Sequence, residues 1–168
     1  MVAMRAEILR TVAGRSEEEL LRTPADGGWC AAEVLDHIAT AEGKLVRALE
    51  RHEKGEPTRV PRRAWFYRVP MSPIFWNIRF SAPKLVRPRP RAELVPREVL
   101  ERLAASRRAL LERADRLGEE GWLRLVFPHF LLGRFTGLSW FRFIAGHETK
   151  HLKQLRRILG SGPGGPPS

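Results

Sequence analysis

The chain of 168 residues contains a single cysteine, Cys30, so no internal disulfide can form. That agrees with a reducing compartment, and a cytoplasmic protein is expected. No uninterrupted apolar run approaches the roughly 20 residues of a membrane span. The first ten residues, Met1 to Arg10, carry charges where a signal peptide would be apolar. No internal repeat is evident, and no segment reads convincingly as a strand. What remains is a hydrophobic content of 43% and a charged content of 29%, which suit one globular domain, expected over residues 1–160. The last eight residues, rich in Gly and Pro, read as a disordered tail, 161–168.

Helical periodicity fills most of that domain. A first helix is expected from Met1 to about Ala13, burying Ile8, Leu9 and Val12. Ser16 followed by Glu19 is a capping-box pattern for a short helix through Leu20 and Leu21. Pro24 to Gly28 is a turn cluster. A second long helix runs from about Ala31 to Glu53, with Val34, Ile38, Ala41, Leu45, Ala48 and Leu49 as its apolar stripe. His37 lies within that stripe, and His52 extends it. The third begins after Pro96, with Val99, Leu103, Leu110, Ala114 and Leu117 as its seam, and stops at Gly118. Thr136 is a good N-cap for the last, which places Trp140, Phe143, Ile144, His147, His151, Leu155 and Ile158 on one face. Four amphipathic helices bury their stripes most simply as an all-α four-helix bundle.

Between Pro57 and Pro96 the helical pattern breaks. Eight of the 13 prolines and six aromatic residues fall there, with nine Lys/Arg against one acidic residue, Glu93. About +8 of the formal net charge of +11 therefore sits in one connection. Arg62, Arg63, Trp65, Phe66, Tyr67, Arg68, Trp76 and Arg79 mix cations with stacking surfaces, as single-strand nucleic-acid binders do. No recognised nucleic-acid motif accompanies them, so a non-catalytic binding protein is the alternative and nucleic acid a disfavoured partner. The segment is expected to be ordered, to pack on the bundle or form a homodimer interface, and to steer an anionic small-molecule substrate.

His147 and His151 stand four apart, about 400° around a helix, so both imidazoles share one face, one turn apart. A single first-row metal ion can reach both. Buried imidazoles without partners are costly, and a metal supplies the partner. The same residues read His-Glu-x-x-His, the zinc-protease signature. That reading needs a further ligand downstream, yet no His, Asp or Glu follows His151. A third ligand has to come from upstream, and His37 is the histidine placed on an apolar helical face. Glu33, one turn earlier, is a candidate to orient His37. Glu148 is a candidate base, with a surface or salt-bridged role the stronger expectation. His129 is a loop histidine that could lie over the site, while Trp29 reads as an anchor and Cys30 as a packing residue.

Three stretches resemble one family, the DinB-like superfamily, which includes YfiT-type metal-dependent hydrolases and the bacillithiol and mycothiol S-transferases. Trp29-Cys-Ala-Ala-Glu-Val-Leu-Asp-His37 is similar to its element leading into helix two. Phe127-Pro-His129-Phe-Leu-Leu-Gly133, with Thr136 and Trp140, is similar to the loop before its last helix, and Gly146-His147-Glu-Thr-Lys-His151-Leu-Lys-Gln154 to that helix itself. The resemblance implies an up-down-down-up bundle and a divalent-metal triad of His37, His147 and His151, holding Zn, Ni or Fe. It also implies thiol transfer or hydrolysis, with a thiol cofactor as a candidate partner. Cys30 departs from the family's usual Ser or Thr cap, and the connection between helices two and three is unusually long and basic.

Overall fold

The computed structural model of the protein describes residues 2–55, 86–129 and 133–160. Most of the basic aromatic connection, including Arg62, Arg63, Trp65 and Trp76, and the tail 161–168 lie outside the described residues. The elements are α1 (Val2–Val12), α2 (Glu17–Leu21), α3 (Ala31–Glu53), α4 (Pro96–Arg124), β1 (Val126–His129), β2 (Gly133–Thr136) and α5 (Gly137–Gly160), with a 3-10 turn at Arg91–Glu93 before α4. Among the described residues no helix is long and apolar enough to cross a membrane.

Local chemistry sets the helix ends. Ser16 Oγ accepts from the Glu19 amide at 3.2 Å while Glu19 Oε2 accepts from the Ser16 amide at 2.9 Å, the reciprocal cap that starts α2. At α3 the Cys30 amide donates to Glu33 Oε2 at 2.8 Å. Proline opens α4 at its first position, where no intrahelical donor is needed. Gly118 interrupts α4 at φ 62° and ψ 177°. The stop expected there is real, but the chain resumes helix as far as Arg124 and Trp122 Nε1 reaches back to the Ala114 carbonyl at 3.2 Å.

The expectation of no strand is corrected by an antiparallel hairpin in which Val126 pairs with Thr136 and His129 with Gly133. With two four-residue strands and few apolar alternations, it lacked a readable period-2 signal. Its exit is tightly packed. The Gly137 amide donates to the Leu125 carbonyl at 3.0 Å, and a Cβ on Gly137 would collide with the Trp122 backbone oxygen. Thr136 then caps α5, its Oγ1 accepting from the Ser139 amide at 3.2 Å.

Pairs between helices reveal their directions. Along α3 and α4, Asp36 meets Arg102, Glu42 meets Ser106 and Glu50 meets Arg113, so both numbers rise together and the two helices run parallel. Along α1 and α5, Arg5 meets Glu148 and Glu7 meets Arg156, again parallel. His37 near the start of α3 faces His147, while Leu45 and Leu49 near its end share a cluster with Trp140 and Ile144, so α3 and α5 are antiparallel. The result is the up-down-down-up bundle. Parallel neighbours need a connection as long as a helix, about 35 Å for the 23 residues of α3. This accounts for the long proline-rich crossover between α3 and α4.

The core divides in two. Ile8, Val12, Val34, Leu35, Ile38, Leu103, Leu155 and Ile158 form one apolar cluster; Leu45, Leu49, Leu110, Trp122, Phe135, Trp140 and Ile144 form the other. Three expected stripe members fall outside, the half-buried Ala41 among them. Leu9 is 39% exposed and His52 is exposed, because each lies at the edge of its helix stripe and turns past the contact. Along α3, α4 and α5, buried polar residues separate the two clusters in sequence: Glu42, Arg107, and Glu148 with His151.

Candidate metal centre

Three histidines of α3 and α5 meet in the bundle. His37 comes from the second turn of α3 and is buried; His147 is half-buried and His151 buried, one turn apart on α5. His37 Nε2 lies 3.1 Å from His147 Nε2, and His151 Nε2 lies 3.2 Å from the same atom. The three possible ligand atoms all fall within 4.8 Å of one another. Among the described residues they form the one group of three or more His, Cys, Asp or Glu arranged this way.

The other ring nitrogens fix which lone pairs point inward. His37 Nδ1 sits 2.5 Å from the Val86 carbonyl oxygen, which can only accept, so Nδ1 carries the proton. His151 Nδ1 sits 2.9 Å from Gln154 Oε1 and donates in the same way. The neutral rings therefore present unprotonated Nε2 atoms to each other. One N–H on His147 Nε2 can satisfy only one of these two lone pairs at a time. A cation bound at about 2.0–2.1 Å satisfies all three and places ligands about 2.9–3.4 Å apart for angles between square and tetrahedral. Two of the three separations, 3.1 and 3.2 Å, fall in that range, and the third lies within 4.8 Å.

The surroundings keep these rings neutral. Burial is the main cause that lowers the His37 pKa, opposed by the Val86 carbonyl and the Asp36 charge. Burial is the main cause that lowers that of His151 to about 3, and the repulsion it would meet from a protonated His37 is a smaller one. Metal ligation needs the neutral ring, so burial favours the binding form. Trp29 packs 5.2 Å from His37 between ring centroids, and Phe143 stacks on His147 at 5.7 Å and 16°. These rings fill the space beside the imidazoles and limit their rotation.

The same shifts set an acid limit for the metal-free protein. Once unfolded, His37 and His151 bind protons below the ordinary histidine value of about 6.5, whereas the folded rings resist them. Folding stability contributed by these groups is present above that value and falls as the pH drops toward about 3, the folded His151 value. Urea midpoints of metal-free protein should therefore decline from pH 7 to pH 4. A His37→Gln/His151→Gln double variant should show a flatter decline; an equal slope in both proteins would refute the account.

The other sequence candidates divide. Glu33 does not touch His37: it caps Cys30 and pairs with Arg91 Nη2 at 3.0 Å. The partner of His37 is instead a main-chain carbonyl from the end of the crossover, which no side-chain pattern could reveal. Glu148 is 1% exposed and bound to Arg5 Nε and Arg107 Nη2, each at 2.7 Å, so the salt-bridged expectation holds and the surface one does not. His129 contributes backbone to β1, and its side chain lies outside the described residues. Trp29 packs against the first of the two core clusters as an anchor for α3, and Cys30 is fully buried, with burial raising its thiol pKa.

A polar cluster that sequence reading missed lies beside the histidines. Arg5, Glu42, Arg107 and Glu148 are all buried, one from each long helix. Arg5 Nη2 meets Glu42 Oε2 at 3.0 Å, Arg107 Nε meets Glu42 Oε1 at 2.9 Å, and Ser106 Oγ donates to Glu42 Oε2 at 2.6 Å. Two guanidinium groups and two carboxylates balance in charge. A possible signal was the placement of Glu42 and Glu148 at core-facing helical positions.

A four-helix bundle carrying three convergent histidines on its second and last long helices defines the class of protein. The sequence profile of the DinB superfamily matches residues 1–155, and the chain belongs to that superfamily. Among its relatives is the uncharacterized protein YuaE of Bacillus subtilis (strain 168), 26% identical over 159 residues that cover 92% of this chain and 91% of that protein. The crystal structure of TT2238, a four-helix bundle protein, superposes with a TM-score of 0.60 at 23% identity, covering 92% of this chain and 91% of that one. That likeness supports the bundle.

Proposed function

We propose that the chain binds one divalent metal ion through His37, His147 and His151 and uses it as a metal-dependent enzyme of the thiol-transferase or hydrolase type. The observation that carries the reading is the convergence of three Nε2 atoms, two of them held unprotonated by acceptors on Nδ1. Three protein ligands leave coordination positions open, as catalytic sites do and sealed structural sites do not. The ion would supply Lewis acidity, favouring the anionic form of a water or thiol nucleophile at those positions. The protein's own part is to keep the rings neutral, aim their lone pairs and exclude bulk water with Trp29 and Phe143. Zn, Ni and Fe all suit imidazole ligands. A small-molecule substrate, with a thiol cofactor as co-reactant, and a homodimeric assembly complete the proposal.

Metal content of protein purified without an affinity tag is the first test, with about one ion per chain expected. The loaded protein should then accelerate reaction of a low-molecular-weight thiol with an electrophile, or hydrolysis of an activated ester, relative to metal-free protein. Substoichiometric metal after reconstitution would sink the site assignment. Stoichiometric metal with no rate difference across both screens would overturn the enzymatic part.

A further inference from the structure

The His37 ring is oriented by the crossover that returns to the bundle, and that return is held down by a buried carboxylate beside it. Asp36 is 0% exposed, next to His37 in sequence, and meets the chain entering α4. Its Oδ2 accepts from the Arg89 amide at 3.0 Å and its Oδ1 from Arg89 Nε at 3.3 Å, while Arg102 Nη1 of α4 binds the same Oδ1. One turn earlier, Glu33 holds Arg91, whose other guanidinium nitrogen binds Thr23 Oγ1. Arg102 is itself tied to Thr40 Oγ1 at 3.2 Å. Residues 86–91 are thus fastened across the start of α3. The buried Val86, three residues before Arg89, is thereby brought with its carbonyl against His37 Nδ1.

We propose that Asp36 is a positioning residue for the metal centre: by clamping Arg89, it holds the Val86 carbonyl on His37 Nδ1 and so presents Nε2 to the metal. This inference rests on the three-histidine reading above. The physical reason is that an imidazole has two equivalent ways to carry one proton. A fixed acceptor at Nδ1 selects the form with a free Nε2 and makes that nitrogen a better donor to a metal. A backbone carbonyl can do this only if its segment is immobilised. A main-chain amide and a guanidinium on one buried carboxylate immobilise Arg89 with charge-assisted bonds. The clamp also couples the crossover to the site, because anything that lifts residues 86–91 releases His37.

Two readouts test it. In metal-free wild-type protein, long-range 15N–1H NMR of the imidazoles should show His37 protonated at Nδ1. Asp36→Ala should give a mixture of both tautomers and weaken zinc binding, measured by chelator competition, by about 10–100-fold, the usual loss when a ligand's supporting partner is removed. Asp36→Asn, which keeps an acceptor for the Arg89 amide, should restore part of the affinity. Arg89→Ala, which loses the guanidinium but keeps the amide contact, should fall between and serves if Asp36→Ala does not fold. Arg113→Ala, which breaks pairs with Glu50 and Glu53 at the far end of α3, should bind zinc as wild type does. Retention of the Nδ1–H tautomer and of zinc affinity within about twofold in Asp36→Ala and Arg89→Ala would overturn the clamp. A wild-type protein that binds no zinc would sink the metal reading instead, and the tautomer would still decide the clamp.

Discussion

Replacing His37, His147 or His151 by alanine is expected to weaken zinc binding by more than about 100-fold, beyond the loss typical of supporting residues. Each substitution removes one of the three proposed ligands, and the two that remain would not hold a divalent ion against water with comparable strength. His147 should be the most sensitive position, because its Nε2 faces both of the others at 3.1 and 3.2 Å. The bundle itself should survive, since His37 and His151 resist protonation in the fold and an uncharged replacement removes no ion pair. Helical circular dichroism with a chelator-competition titration separates the two effects. A triple alanine variant that still carries one ion per chain would show that the metal sits elsewhere.

Glu148→Ala should destabilise the metal-free protein by about 3–5 kcal/mol, the cost of leaving buried partner charges uncompensated. Glu148 Oε1 receives both Arg5 and Arg107, so its removal leaves two buried guanidinium groups sharing the single Glu42 carboxylate. Removing one charge is the worst case. Exchanging all four together, as Arg5→Met, Glu42→Leu, Arg107→Met and Glu148→Leu, should recover most of the loss, because packed apolar side chains need no compensation. Urea unfolding of the two variants gives the comparison. A loss below about 1 kcal/mol for Glu148→Ala, the range of an exposed pair, would show that water reaches the cluster.

The helices were legible because burial leaves a periodic mark. The helix expected from about Ala31 to Glu53 was readable from its stripe, its flanking turn cluster and Gly55. Ser16 and Glu19 announced their capping box, and Gly118 its break, since each rests on contacts between residues close in sequence. The hairpin at 126–136 was not legible, because four-residue strands carry too little alternation to show. Leu9 misled for the same reason in reverse: one apolar residue at a stripe edge does not reveal which way the stripe ends.

The histidine pair His147 and His151 could be placed on one face from spacing alone, and His37 on a core-facing stripe. Their convergence within 4.8 Å came from the antiparallel packing of α3 on α5. Likewise, no pattern in the chain distinguished Glu148 as a catalytic base from Glu148 as an ion-pair partner. Arg5 is 143 residues away along the chain and Arg107 is 41 away, and only the packed bundle brings them to it. The sequence by itself determined four amphipathic helices, their caps and the candidate ligands, because those depend on a few residues at fixed spacing. The tertiary structure decided the Val86 carbonyl on His37, the contacts of Asp36 with Arg89 and Arg102, and the four-helix ion cluster. Main-chain acceptors have no side-chain signature, and the partners of a buried charge are known only once the helices are side by side.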